Sequence, residues 1–252
     1  MILYDVANGI ARITLNRPDK RNALNAELIN AVKNALAKSA GDPECRVVLL
    51  TGAGKDFCSG ADLAGLEKTA QAGVLDNMDD ARNMAELFLA MRNHPHPIVA
   101  AVQGRALAGG CGLATACDII LASESAQFGY PEVNIGFVPA MVMAILRRSV
   151  SEKAAFELVA AGEVISALRA REIGLVHHVY QDDRFADQVE AYALRLTSKS
   201  ASAIMLSKRL LYQMDSMSFE AALEAGIQTN AIARMTEDCR RGVERFLGRQ
   251  RS

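Results

Sequence analysis

Two glycine-bearing turns, Phe57-Cys58-Ser59-Gly60-Ala61-Asp62 and Ala106-Leu107-Ala108-Gly109-Gly110-Cys111-Gly112, have the composition of strand-to-helix corners. The first N–H groups of a helix have no partner within it. Those donors, aided by the helix dipole, bind an anion. Two such corners aimed at one point make a preorganised site for an oxyanion. Glu132, in Phe128-Gly129-Tyr130-Pro131-Glu132, supplies a carboxylate that can move a proton beside that point. The set points to chemistry in which an enolate is made and quenched. Taken singly, each glycine turn is only a turn.

The elements that must position these residues read as an alternation of strands and helices. Ile10 to Asn16 has the period of a strand and stops at Arg17-Pro18. Asn25 can cap a helix whose apolar face is Leu28, Ile29, Val32 and Leu36. Arg46–Thr51, Pro97–Gln103 and Asp118–Ala122 are apolar runs with the look of buried strands. Separated by helices, they imply an α/β core with a sheet covered on both faces. Between the two turns, Met78, Ala81, Met84, Ala85, Phe88 and Met91 recur at helical spacing from Asp76 to Arg92. Beyond residue 150 the pattern turns helical. Ser151 and Ser166 cap helices, the second ending at Gly174; a brief strand follows over Gly174–Val179. Thr236 caps the last helix and Gly248 ends it.

Composition sets the class. The chain has 252 residues, half of them hydrophobic, and a net charge of −1. It can bury a large core and has no electrostatic drive toward nucleic acid or an anionic membrane. The local basic clusters, Arg147-Arg148, Arg240-Arg241 and Arg249–Arg251, read as solvated helix ends. Five cysteines without a CxxC pair argue for a reducing compartment. No signal peptide or membrane-spanning run is visible, so a soluble cytoplasmic protein is expected.

The ordered motifs carry a resemblance. They are Asn16-Arg17-Pro18 with Asn22-Ala23-Leu24-Asn25, Phe57 through Leu63, Pro97 through Gly112, Cys117-Asp118, Phe128 through Glu132, and Gly174-Leu175-Val176. In kind and order they resemble the crotonase superfamily, the enoyl-CoA hydratase/isomerase family, over nearly the whole chain. The resemblance implies a spiral of ββα turns over residues 1–190. It also implies a helical oligomerisation region over 191–252, in a homotrimer or a dimer of trimers. It implies an acyl-CoA thioester as substrate, with coenzyme A as part of that substrate and no other cofactor. The thioester carbonyl would sit between the N–H groups of Ala61 and Gly109. CoA would lie along Arg21, Ala23, Ser59, Ala61, Asp62, Leu63 and Gly109, with Lys20, Arg21 or the C-terminal arginines near its phosphates. Met84, Phe88 and Val138 would line the acyl pocket.

One departure concerns the acids. Hydratases of this family carry a glutamate three residues after the oxyanion-hole glycine and a second at the place of Glu132. Here the first position is Gly112, in Gly109-Gly110-Cys111-Gly112-Leu113. Adding water takes a base for the water and an acid for the carbon, and glycine is neither. One carboxylate suffices to carry a proton between two carbons, as the family's isomerases do. A second departure is the stretch Ile135 to Val142, which is less glycine-rich than in many relatives and reshapes the acyl pocket. Isomerisation is therefore expected ahead of hydration.

Other readings carry less. Asp79, Asp80 and Glu86 suit a solvated helix face. Cys58 and Cys111 have no histidine partner in sequence and suit packing. Four histidines without metal-ligand spacing give no metal site. A non-catalytic, RNA-binding relative is opposed by the neutral charge and by Glu132. A serine peptidase built on Ser59 lacks an ordered histidine and aspartate.

Overall fold

A computed structural model of the chain describes residues 1–62, 65, 67 and 71–249. Leu63, Gln250 and Arg251, and most of the helix expected after the first glycine turn, lie outside the described residues. The main sheet is built from β1 (Ile2–Ala7), β2 (Ile10–Leu15), β3 (Val47–Gly52), β4 (Ile98–Val102), β6 (Ile119–Ser123) and β9 (His178–Tyr180). Its order is β1-β2-β3-β4-β6-β9. Only the β1–β2 hairpin is antiparallel in this sheet.

Successive strand residues point to opposite faces. Ile13, Leu15, Val48, Leu50, Ile98 and Ala100 enter the larger core. Ile10, Val47, Leu49, Val99 and Leu121 enter a second core on the other face. That second face is covered by α7 (Phe185–Thr197), which contributes Val189 and Ala193. Burial on both faces is why β3 and β4 read as unbroken apolar runs. Residue 190, the expected limit of the core region, falls inside α7.

A second, smaller sheet lies across the turns. It consists of β5 (Arg105–Leu107), β7 (Gln127–Gly129) and β8 (Val164–Ser166), in the order β5-β7-β8. Two isolated parallel bridges extend its pattern, Cys58 to Ala106 and Leu24 to Ala61. The chain thus makes a long strand, a short crossing strand and a helix, then repeats. This is the spiral of ββα turns that the motifs imply.

Among the described residues up to the second core's α7, the helices are α1 (Ala26–Ala40), α2 (Val74–Arg92), α3 (Gly109–Thr115), α4 (Ala140–Ser149), α5 (Glu152–Ala161) and α6 (Ala167–Glu172). Asn25, Ser151 and Ser166 cap α1, α5 and α6 through side-chain bonds from Leu28, Ala154 and Arg169 N–H. The expected strand at Gly174–Val179 is corrected to His178–Tyr180. Leu175 and Val176 are buried, but both N–H groups donate to the Ala170 carbonyl, so that segment closes α6 instead of joining the sheet.

The tail comprises α8 (Ala201–Gln213), α9 (Phe219–Met235) and α10 (Glu237–Arg249). Thr236 Oγ1 accepts from Cys239 N–H at the start of α10, as expected. Gly248 does not end that helix; it lies within it. A buried ion pair fastens α8 to the core. Lys208 Nζ lies 2.8 Å from Asp118 Oδ2 and also donates to the Met91 and His96 carbonyls. Tyr212 donates to the other Asp118 oxygen. Every partner there is satisfied, the condition under which a buried charge pair is tolerated. In contrast, Phe219, Leu223 and Ile227 on α9 are 75%, 55% and 64% exposed. Among the described residues no helix is long and apolar enough to cross a membrane.

Candidate active site

The first glycine turn is held by the segment before α1. Leu24 N–H donates to Gly60 O at 2.7 Å, Asp62 N–H to Leu24 O at 2.9 Å, and Ser59 N–H to Arg21 O at 3.0 Å. Arg21–Ala23 and Ser59–Asp62, which include residues expected to meet CoA, therefore lie side by side. Asn22 is fully buried and left-handed at φ 55°. Its amide donates to the carbonyls of Ala53 and Asp56. Arg17 completes the frame. It reaches Ala23 O at 2.5 Å and Asp62 Oδ2 at 2.6 Å. Asp62 thus supports the turn. Arg17 sat within a quoted motif, yet its types and spacing alone gave it no role.

The second turn sits against the first. Cys58 N–H donates to Arg105 O and Leu107 N–H to Cys58 O. Gly60 has φ +100°, and a Cβ there would lie 2.9 Å from Ala108 Cβ and 3.6 Å from Gly109 N. Gly110 allows α3 to touch the first turn, since a Cβ would stand 2.2 Å from Cys58 O. Ala108, just before α3, has φ 49° and ψ −127°, a conformation L-residues avoid. Such strain persists only where surrounding contacts impose it. Here the Ala108 N–H to Gly129 O bond, at 2.8 Å, is one of them.

Two donors remain unspent at this junction. Ala61 N–H and Gly109 N–H donate to no described backbone or side-chain group. Gly109 opens α3, so its N–H lacks a helical partner by construction. Ala61 is exposed and Gly109 half-buried.

Glu132 approaches from the strand beside β5. Leu107 pairs in parallel with Gly129, and the chain leaves both strands in the same direction. One exit gives Ala108 and Gly109; the other gives Tyr130, Pro131 and Glu132. Pro131 starts a short 3-10 helix, Pro131–Ile135, that carries Glu132. Its oxygen Oε2 is buried and has no hydrogen-bond partner among the described residues. Burial raises the Glu132 pKa above its usual 4.5. Tyr130 is fully buried, and its hydroxyl lies 2.8 Å from Thr115 Oγ1, pinning this segment to α3.

The floor of the site is apolar. Met84 and Phe88 are 8% and 7% exposed on α2. Met84 Cε would lie 3.9 Å from a Cβ at Gly109, and Phe88 Cζ 3.5 Å from one at Gly112. Val138 stands on the outer side of its segment, 59% exposed. The residue that packs against Gly112 is Val142, whose Cγ1 would lie 2.1 Å from a Cβ there. The sequence carried no signal for that contact, which joins two helices thirty positions apart.

The remaining candidates stay out of the chemistry. Cys58 and Cys111 are buried, and desolvation pushes their thiols up to about 12 and about 11. Such thiols are poor nucleophiles. Asp79 pairs with Arg82, and Glu86 with Lys33, on an exposed face. His94 is buried between Ser39 and Leu36, and desolvation lowers its pKa to about 4, so it stays neutral. Among the described residues no three His, Cys, Asp or Glu side chains are placed to hold a metal.

The same frame recurs in known proteins. A sequence profile described as enoyl-CoA hydratase/isomerase matches residues 5–252. The 2,3-dehydroadipyl-CoA hydratase of Escherichia coli K12 is 36% identical, over 93% of this chain and 91% of its own. The crystal structure of an enoyl-CoA hydratase from Mycobacterium smegmatis superposes with a TM-score of 0.93 at 32% identity, covering 98% of this chain and 96% of that one. Human enoyl-CoA hydratase domain-containing protein 3 gives a TM-score of 0.93 at 28% identity, over 98% and 97% of the two chains. Paired glycine corners, a carboxylate after the second short strand, and a match along the whole chain agree: the protein belongs to the enoyl-CoA hydratase/isomerase family.

Proposed function

We propose that the chain isomerises the double bond of enoyl-CoA thioesters, with Glu132 as the single proton carrier. The observation that carries this is Glu132 Oε2, a buried carboxylate oxygen without a partner among the described residues. Buried polar atoms are nearly always bonded, and an exception points to a group kept free for chemistry. In this reading Ala61 and Gly109 N–H hold the thioester oxygen as it becomes an enolate. Glu132 takes a proton from one carbon and returns it to another. CoA runs along Arg21–Ala23 and Ser59–Asp62, and no group beyond the protein and substrate takes part. Val142 supports the one-acid scheme: with its methyl group against Gly112, the space for a second carboxylate is already filled.

Hydration is the second reading, favoured by the hydratase names of the relatives. A panel of 2-enoyl- and 3-enoyl-CoA esters followed by mass spectrometry separates the two. The 3-enoyl ester should become the 2-enoyl ester without mass change, faster than crotonyl-CoA gains water. Rapid water addition with little isomerisation would reject the isomerase reading. Acyl-CoA should also stabilise the fold, by about 2.7 kcal/mol at a hundred times its dissociation constant. Absence of any thermal shift with several esters would reject the CoA site as well.

The assembly proposed is a trimer or a dimer of trimers, with residues 191–252 supplying the contacts. Its support is the apolar row on α9, which finds no cover among the described residues of its own chain. Sedimentation equilibrium at micromolar concentration should return three or six copies; a stable monomer would refute it.

A further inference from the structure

A cavity of about 670 Å³ opens behind the site, among α2, α3, α4 and the end of α8. It shares wall residues with the site. Phe88 packs toward Gly112 on one side and lines the cavity on the other. Thr115, whose hydroxyl meets Tyr130, also lines it. At a rise of 1.5 Å per residue, Thr115 stands about 9 Å along α3 from the Gly109 donor. The walls nearer the site are apolar, with Phe88, Ala116, Met141 and Ile145.

The far end is different. Arg92 and Arg148 both pair with the same oxygen of Asp215, Arg148 at 2.8 Å. Arg92 lies 4.0 Å over the Tyr212 ring and donates to the Tyr212 carbonyl. Arg148 also donates to the Ala144 carbonyl. Asp215 holds the guanidinium groups side by side without balancing them, because two cations share one anion. The other charged group facing this cavity, Asp118, is already neutralised by Lys208. His177 spends Nδ1 on the Ile120 N–H. A guanidinium has five N–H donors in a fork suited to a carboxylate, and several here are unused among the described residues.

We propose that this cavity receives the distal part of the acyl chain and that Arg92 and Arg148 recognise a carboxylate at its far end. The substrate class is then an enoyl-CoA whose acyl group is a dicarboxylic half-thioester. This rests on the acyl-CoA reading above. An apolar channel suits the methylene segment, and a paired-arginine mouth at the solvent edge suits an anion.

The test compares two enoyl-CoA esters of equal chain length, one ending in a methyl group and one in a carboxylate. The wild type should favour the carboxylate ester in kcat/KM by tenfold or more. Arg148→Gln should cut that ratio by about tenfold or more, the usual scale of a hydrogen bond to a charged group. Arg148→Lys should restore part of it. Because the ratio is taken within one variant, a general loss of stability cancels. A wild type that prefers the methyl ester, or a ratio unchanged in Arg148→Gln, overturns the inference. Turnover of both esters without discrimination overturns it alone; failure of both esters to bind or react removes the acyl-CoA reading too.

Discussion

Glu132→Gln should lower turnover by about a hundredfold to ten-thousandfold, the usual share of a positioned acid–base group. The amide keeps the shape but cannot take a proton at neutral pH. The same change should raise thermal stability. Burial lifts the Glu132 pKa above 4.5, so ionisation is costlier in the folded protein than in the unfolded chain. Its contribution to stability is therefore full below the unfolded value and is lost as pH rises through the folded one. At pH 7 the wild type carries that penalty and the amide does not. Thermal unfolding should show the variant ahead at pH 7 and level with wild type near pH 4. Wild-type kcat/KM should fall on the acid side through the raised Glu132 value, since the base must be ionised. A Glu132→Gln enzyme within tenfold of wild type would remove Glu132 from the chemistry.

Gly109→Pro should cost about a hundredfold to a thousandfold in turnover, the scale of one oxyanion donor. Proline is welcome at the first position of a helix and removes only an N–H that has no helical partner. The strained backbone of Ala108 is the complication, because a following proline restricts it. Gly109→Ala is the control. Its added Cβ would meet Leu24 Cδ1 at 3.4 Å, an ordinary contact, and its N–H is kept. The alanine variant should stay within about tenfold of wild type, while the folded proline variant, checked by circular dichroism, does not. Equal losses in the two would show that bulk, and not the donor, matters at this position.

How much of this could be read from the chain depends on how locally each feature is encoded. β2, β3, β4 and β6 are apolar runs ended by proline, glycine or polar residues, so burial wrote them into the composition. β1 was missed; it is an edge strand whose residues alternate between exposed and half-buried. β5, β7 and β8 are three residues each, too short for periodicity to register, and they exist because the turns cross. The two glycine corners and Glu132 stand out in the chain because each is marked by a short local motif; the donor roles expected of Ala61 and Gly109 came from the resemblance. Arg17, Val142 and the Arg92–Asp215–Arg148 cluster were not legible, since each is defined by contacts between distant segments. The strand drawn at Gly174–Val179 failed for a related reason. Leu175 and Val176 are as apolar as any strand, but the Ala170 carbonyl claims both N–H groups first.

The contact between Gly112 and Val142 also constrains how this chain can diverge. A carboxylate at position 112 must displace Val142, because the first new carbon lands 2.1 Å from that valine's methyl. The valine must turn, shift or shrink. Losing its two methyl groups costs on the order of 2 kcal/mol and by itself offers no new chemistry. Positions 112 and 142 are thus coupled: what the packing tolerates at one depends on the side chain at the other.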